Sequence, residues 1–459
     1  MPLVPLKKNK HGAEVRPIGI TETIRKIVAH IWLAEVRKKA KKVLSPVQYG
    51  CLFSAGGEAM IHEFQLELEN DPSMLWKYDI RNFFNEIKRV ELVRAAARLL
   101  GDSFGFHVAC LLEKVTEYIL QGQNGISHSH LTIDGTIQGD VYSTLLACLV
   151  LIRAQNDFLS IMKCVYPNFT VVGAPSADFD LSLLPEQLRQ LVNRLPSEEE
   201  VFSDVCERRQ RLGLSRFLMN NVTLSLRSYV DDMTWKCPSL LSDFSFVILN
   251  TLLLPIGVAF RPQKTVCWNA LEEPDSGMIV IGLPLWGQDP SSDHAAKFSY
   301  GVGPSSFIAA QCVEQIVPMH VDALDKLREL LRHAPTGRDV GTTVERLLRL
   351  CVIPRHTHIA RAFPPSLVQD TLQEVHELTI QFAKRDLYGW DKHRFWDRAH
   401  ESLVDLNLSL RLRDGGAGYT PTCCCTRSLC GVLVSVSRDY GRSSRRLGAG
   451  SRAGVECRF

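Results

Sequence analysis

Two adjacent carboxylates, Asp231 and Asp232, stand in the stretch RSYVDDMTW (Arg227 to Trp235) between apolar and aromatic neighbours. On a regular strand consecutive side chains point to opposite faces, so such a pair could not share a ligand. A tight hairpin with Ser228–Val230 and Met233–Trp235 as its flanks removes that obstacle and presents both carboxylates at one tip. A third, Asp79, ends the apolar segment of KYDIRNFF, where a strand would leave it at a sheet edge. With no His or Cys at ligand spacing, the donor set is all oxygen and suits Mg²⁺ or Mn²⁺ rather than Zn²⁺. Three such groups could gather two ions, which lower the pKa of an attacking 3′-hydroxyl and stabilise a departing pyrophosphate in an in-line displacement. Without cations the clustered carboxylates would repel one another and take up protons. Taken alone, an acidic pair in a turn is more ordinarily a solvated corner, so the weight falls on what accompanies it.

The elements that must position these groups are legible in outline. Residues 21–44 carry Ile24, Ile27, Val28, Ile31, Leu33 and Val36 at mostly helical spacing. WKYDI (Trp76 to Ile80) reads as a short strand and Arg89 to Leu100 as a helix; GDSFG then reads as a hinge, and Val108 to Leu120 as a further helix. Gly135 to Leu159 begins as a glycine-bearing loop and becomes a long buried helix. Residues 160–225 are less patterned and read as an inserted, partly exposed segment. After the hairpin come a helix and turn (Ser239 to Phe260) and a β element (Gly277 to Gly287). This alternation predicts an α+β architecture with an antiparallel sheet. From about 306 to 412 the pattern is mainly helical, a second domain. Beyond Gly415 the composition shifts to Cys, Ser, Arg and Gly, and residues 415–459 are expected to be disordered. CCCTRSLC lacks His partners at finger-like spacing, so no zinc site is expected there.

With 459 residues, 45% hydrophobic and 22% charged, the chain can bury a large core and form two or three domains. Its fourteen Cys follow no paired CxxC spacing, and MPLVPLKKNK is no signal peptide, so free thiols and a reducing intracellular compartment, nucleus or cytoplasm, are expected. The apolar runs Leu145 to Ile152 and Phe246 to Phe260 are too short for a membrane span and read as core; no membrane partner is expected. The net charge of +3 conceals an uneven distribution. Residues 1–50 hold eleven Lys and Arg against three Glu, a local +8, which is either a solvated helix face or a polyanion-binding one.

In chain order, RPIGI (16–20), KYDIRNFF (77–84), TIQGDVYSTLL (136–146), SYVDDM (228–233), GVAFRPQKT (257–265) and IVIGLPL (279–285) resemble the consecutive motifs of a reverse transcriptase. LLRLCVIPRHTHIARAFPP (347–365) and the broken GGAGY (415–419) resemble the region after the polymerase in non-LTR, LINE-type retrotransposons. The resemblance spans roughly residues 3 to 420. It implies a right-hand polymerase fold, with fingers and an antiparallel palm sheet in 1–290 and a helical thumb-like region in 300–414. It implies an RNA-directed DNA polymerase that uses an RNA template, a DNA primer, dNTPs and two Mg²⁺ or Mn²⁺ ions.

Carried over residue by residue, Asp79, Asp231 and Asp232 become metal ligands. Arg16, with Lys7 or Lys8, faces the triphosphate, a role that suits a guanidinium. Gln138 and Gly139 touch the incoming nucleotide, and Phe84 lies under the sugar and blocks a 2′-hydroxyl. Lys264 neutralises or protonates the pyrophosphate oxygen, and Gly282 belongs to the primer grip. Each has a plainer reading: core for Phe84, with Phe83 competing for its role; an exposed turn for Lys264; a surface ion pair for Arg16; solvent for Lys7 and Lys8; a helix-capping amide for Gln138. Asp140 to Tyr142 depart from the family pattern, and 92 positions separate Gly139 from Asp231. The chain starts within the fingers, with neither an endonuclease nor an RNase H cluster, and reads as a fragment. The competing expectation is a catalytically silent nucleic-acid-binding remnant. YVDD and Phe84 disfavour an RNA-dependent RNA polymerase.

Overall fold

The β-branched and aromatic residues flanking the acidic pair form two antiparallel strands, β1 (Thr223–Tyr229) and β2 (Asp232–Cys237), whose register ends at Tyr229 opposite Asp232. On the far side of β2 lies β3 (Met74–Tyr78), antiparallel, with Tyr78 opposite Met233, and beyond it β4 (Val266–Asn269). The fifth strand, β5 (Thr170–Val172), pairs with β1 in parallel. The sheet is therefore mixed, which corrects the antiparallel expectation. A parallel neighbour needs a crossover, and the crossover carries helices α1 (Glu186–Val192) and α2 (Glu198–Arg211). The segment read as an unpatterned insertion at 160–225 thus supplies a sheet strand and two helices, and its first residues finish the preceding helix.

That preceding helix, α3 (Ser143–Val165), is apolar over most of its circumference and correspondingly buried, with Arg153 and Lys163 on its exposed side. Phe158 meets Trp235 of β2 edge-on, ring centroids 5.0 Å apart, which seats the helix on the sheet. Among the described residues, two helical segments, Ser143–Val165 and Ser239–Ile256, are long and apolar enough to cross a membrane; 83% of the first one's apolar window is buried in the core. The sequence reading carried this helix to Leu159, and it continues to Val165.

A second sheet, ordered β6 (Val15–Gly19), β7 (Pro2–Lys7), β8 (Thr116–Gln121), β9 (Ser127–Thr132), lies in the same unit. Here two expectations fail. The helix read over 108–120 ends at Leu112, because Thr116, Tyr118 and Ile119 are strand formers that pair with β9. GDSFG is no hinge, since helix α4 (Asp102–Leu112) starts directly after α5 (Arg89–Leu100) and packs on it. Helix α6 (Thr23–Leu44) forms as expected, but it buries Ala29, Val36, Ala40 and Leu44, while Ile24, Ile27 and Ile31 face outward. Small Ala residues on the inner face let the helix approach its neighbours closely.

The described residues are 2–7, 15–70, 74–113, 116–121, 127–136, 138–175, 179–211, 222–269, 277–283, 298–333, 340–356 and 361–387 of a computed structural model. They divide into two units, one to Ile308 and one from Ala309. The first has a continuous core running from Ala29 to Phe260. A hairpin of β10 (Met278–Leu283) and β11 (Phe298–Val302) belongs to it: on helix α7 (Gly56–Asn70), the Gln65 amide donates to Gly303 O at 3.1 Å and accepts from Gly303 N at 3.3 Å. The second unit is helical, as its periodicity predicts, with α8 (Ser305–His333) leading in, then α9 (Val340–Leu347) and α10 (Pro365–Phe382). Leu324, Val344, Leu348 and Phe382 are in its own core, and His320 bonds the Thr379 hydroxyl at 2.8 Å. Residues 415–459, including CCCTRSLC, lie outside the described residues.

Candidate active site

The acidic hairpin forms, with one adjustment. Its two turn residues are Val230 and Asp231, and Asp232 is the first residue of β2. Continuing the β3–β2 register one step past Tyr78 and Met233 brings the backbone of Asp79 beside Asp232. Two strands and a turn thus deliver three half-buried aspartates to one end of the sheet. The Asp231 charge is felt on α3, where burial first, then Cys51, then Asp231 push the Cys148 thiol well above its ordinary range. Asp232 pairs with Lys77 of β3, Nζ to Oδ1 3.2 Å.

An all-oxygen, half-buried carboxylate set fits a hard divalent cation by its chemistry. Among the described residues, however, no three His, Cys, Asp or Glu side chains converge as a group able to hold a metal.

Lys264 reaches this end of the sheet through its backbone. Arg81 N donates to Ala259 O at 2.9 Å and Arg261 N to Asp79 O at 2.8 Å, with Ile80 and Phe260 forming a bridge between them. The segment is held down by Phe260 stacking on Tyr78 at 4.8 Å. The short turn Pro262–Lys264 follows at once, and Lys264 is exposed in it.

Phe84 belongs to a second group of residues, five positions on from Asp79 and past the turn at Arg81 and Asn82. In the short helix Phe83–Glu86, Phe83 is core and Phe84 is half-buried, the two rings meeting edge-on at 5.3 Å. The Phe84 carbonyl accepts from Thr136 N at 2.6 Å and that of Ile87 from Gly135 N at 2.8 Å, which straps the loop before α3 to this helix. Further along the same loop, Gln138 O accepts from Gly19 N at 2.8 Å, tying it to the end of β6. Gly139 has φ 101°, and a Cβ there would stand 3.0 Å from Gly19 O, so only glycine permits this approach without strain. Phe84, Gln138 and Gly139 are thereby gathered at the end of the strand that carries Arg16. On the backbone, Arg16 stands opposite Leu6 and Lys7 opposite Val15. Gly282 lies in β10 opposite Ser299, and Lys8 is outside the described residues.

Sequence reasoning passed over what supports the hairpin from behind. Arg227 of β1, 3% exposed, binds Glu67 through Nη1 at 3.0 Å and Nη2 at 2.5 Å and Glu63 through Nε at 2.9 Å, and lies over the Phe64 ring at 4.7 Å. Ser225 donates to Glu67 at 2.6 Å, and the Tyr49 hydroxyl to Glu63. Burial opposes the Glu67 charge, but the Arg227 hydrogen bonds and charge, with Ser225, outweigh it and hold the carboxyl below its ordinary 4.5. The available signal was an arginine amid strand formers in a segment that had to be buried. Val230 is the other surprise, a β-branched residue at φ 59°, a conformation costing about 1–3 kcal/mol. The unusual 140–142 segment is structural: Asp140 is buried against Arg25, 2.7 Å from Nη2, and the Tyr142 hydroxyl meets His107 Nε2 at 3.0 Å.

No family model and no curated protein matches the chain. Among solved structures, it is similar to telomerase from Candida albicans in complex with a fragment of telomeric RNA, at 12% identity and TM-score 0.35, covering 83% of this chain and 53% of that one. It is likewise similar to apo telomerase from Candida tropicalis, at 13% identity and TM-score 0.35, covering 80% and 55%. The chain thus spans about half the length of these structures. Likeness at that TM-score is too slight to identify a fold, and the functional reading rests on the chain's own residues.

Proposed function

We propose that the chain is the fingers, palm and thumb-like part of a reverse transcriptase, an RNA-directed DNA polymerase of right-hand fold acting in LINE-type retrotransposition. The observation that carries this reading is the delivery of Asp79, Asp231 and Asp232 to one end of a sheet by β3 and a two-residue hairpin. Around it, the backbone bonds that bring the Lys264 turn to Asp79, and those that tie the loop before α3 to Phe84, suit a site where a nucleotide's phosphates and sugar are held a short distance apart.

In this reading Asp79 and Asp231 hold Mg²⁺ or Mn²⁺, and Asp232, engaged by Lys77, tunes the local charge. The bound ions supply Lewis acidity toward the 3′-hydroxyl and the pyrophosphate. Lys264 neutralises the leaving group, as a cation on an exposed turn can do without competing for the metal ligands. Phe84 closes the space where a 2′-hydroxyl would sit, so dNTPs are selected. Gly139 lets the nucleotide approach the backbone, Gln138, Arg16, Lys7 and Lys8 contact base and triphosphate, and Gly282 backs the primer strand.

A second reading, a catalytically silent nucleic-acid-binding remnant, draws on the Lys77–Asp232 ion pair, which leaves no closed three-carboxylate group among the described residues. Primer extension on poly(rA)/oligo(dT) with dTTP and Mg²⁺ separates the two. The first reading expects Mg²⁺-dependent extension. Binding of the primer-template with no extension in Mg²⁺ or Mn²⁺ would establish the second.

A further inference from the structure

Asp231 owes its position to a residue that is strained. Val230, immediately before it, has φ 59°, the sign that hairpin turns of two residues demand at their first position and that glycine ordinarily supplies. A β-branched side chain holds that conformation only where its surroundings over-determine it. What over-determines it here is one buried amide, Gln48, 1% exposed.

The Gln48 side chain makes four hydrogen bonds. Its Oε1 accepts from Val230 N at 2.8 Å and from Gly50 N at 3.0 Å. Its Nε2 donates to Val230 O at 3.0 Å and to the Ser228 hydroxyl at 3.3 Å. A primary amide has two donors and two acceptor lone pairs, so the group is saturated. Its orientation is fixed too, because turning it over would set NH₂ against two backbone N–H donors. Both backbone polar groups of Val230 are thus gripped by one rigid plane.

The grip is itself anchored. Tyr49 N donates to Ser228 O and Ser228 N to Val47 O, both at 2.8 Å, so the chain on either side of Gln48 is stitched to β1. Gln155 of α3 donates to the same Ser228 hydroxyl at 2.7 Å. Gly50 leaves the space this needs, since a Cβ there would stand 2.5 Å from Val230 N.

We propose that Gln48 is a positioning residue for Asp231: its amide locks Val230 in the left-handed conformation and so aims the adjacent carboxylate into the candidate metal site. The functional half of this rests on the polymerase reading; the conformational half does not. Gln48 touches no reacting atom. Removing it lets Val230 relax toward negative φ, which swings Asp231 away while leaving the nucleotide-contacting residues in place.

The experiment uses the full chain with Gln48→Ala, the near-isosteric Gln48→Glu, and each combined with Val230→Gly. Three quantities are read: hydrogen exchange of the peptide spanning 226–235, Mn²⁺ binding by electron paramagnetic resonance, and kcat against KM for dTTP. Gln48→Ala is expected to speed exchange at the hairpin, weaken Mn²⁺ binding and lower kcat by about 10–100-fold, as losing an orienting partner of a ligand does, with KM little changed. Gln48→Glu, whose carboxylate cannot donate to Val230 O, should act in the same direction. Val230→Gly should recover most of the loss in either background, because glycine adopts positive φ unaided. Unchanged exchange at the hairpin overturns the proposal, as does a loss of rate and melting temperature that Val230→Gly fails to recover. A parent protein that binds no Mn²⁺ and extends no primer would refute the polymerase reading, while the exchange arm would still decide whether Gln48 holds the turn.

Discussion

Asp231 and Phe84 make opposite kinds of demand on their surroundings, and substitution separates them. Asp231→Asn removes a charge but little volume, so the protein should fold and bind primer-template while nucleotide addition falls by about 10²–10³ or more; extension equal to the parent's would remove the metal argument. The adjacent rings divide differently. Phe83, fully packed, should cost about 3–5 kcal/mol when cut to Ala, seen as a lowered melt with all activity reduced. Phe84, half-buried, should when cut to Ala admit UTP, so that the ratio of kcat/KM for dTTP to that for UTP falls while dTTP use persists. An unchanged ratio with a lowered melting point would make Phe84 a packing residue only. At this scale the carboxylates were legible because few residue types bind hard cations. Gln48 and Arg227 were not, since an amide or a guanidinium acquires its meaning only from the partners the fold brings to it.

The same contrast governs the elements. Helix α3, strand β3 and the acidic hairpin could be read because their periodicity or turn chemistry is strong. Strand β8 was taken for helix because an apolar run of a few residues fits both periods, and three-residue β5 is too short to show any period, which is why the sheet's parallel edge went unforeseen. Lys38, Lys39, Lys41 and Lys42 are all exposed on the last turns of α6; changing them to Ala should weaken duplex binding and lower its salt slope by roughly one for each phosphate they neutralise. An unchanged slope would make that face merely solvated. Behind the hairpin, α7 and β1 are joined by Arg227 and its two glutamates. Arg227→Ala should destabilise by about 1–3 kcal/mol, by stripping two half-buried carboxylates of their shared cation and its hydrogen bonds. Because Glu67 titrates below its ordinary 4.5 in the folded protein, its contribution is present above that value and is lost as pH falls through the folded pKa. The melting temperature should therefore drop as the pH is taken below that ordinary value and through the lowered one, and Glu67→Gln should flatten that drop.

At the scale of the molecule, the first unit has an extensive core of its own, and Gln65 ties its last hairpin to α7. A fragment ending at Pro304 should consequently give a single cooperative melt by calorimetry; an aggregated or non-cooperative product would show that the first unit depends on the rest. The parallel pairing of β5 with β1 has a consequence of another kind. Thr170 and Thr223 are register partners, held a strand's spacing of about 5 Å apart, however much chain is looped out between them. Residues can be gained or lost in the links of that excursion, outside the helices α1 and α2 that pack into the core, without moving the aspartates, and loop closure grows only slowly more costly with length. The number of positions between Gly139 and Asp231 is thus free to drift while the chemistry stays put, and a search keyed to fixed intervals between motifs would pass over a protein built this way.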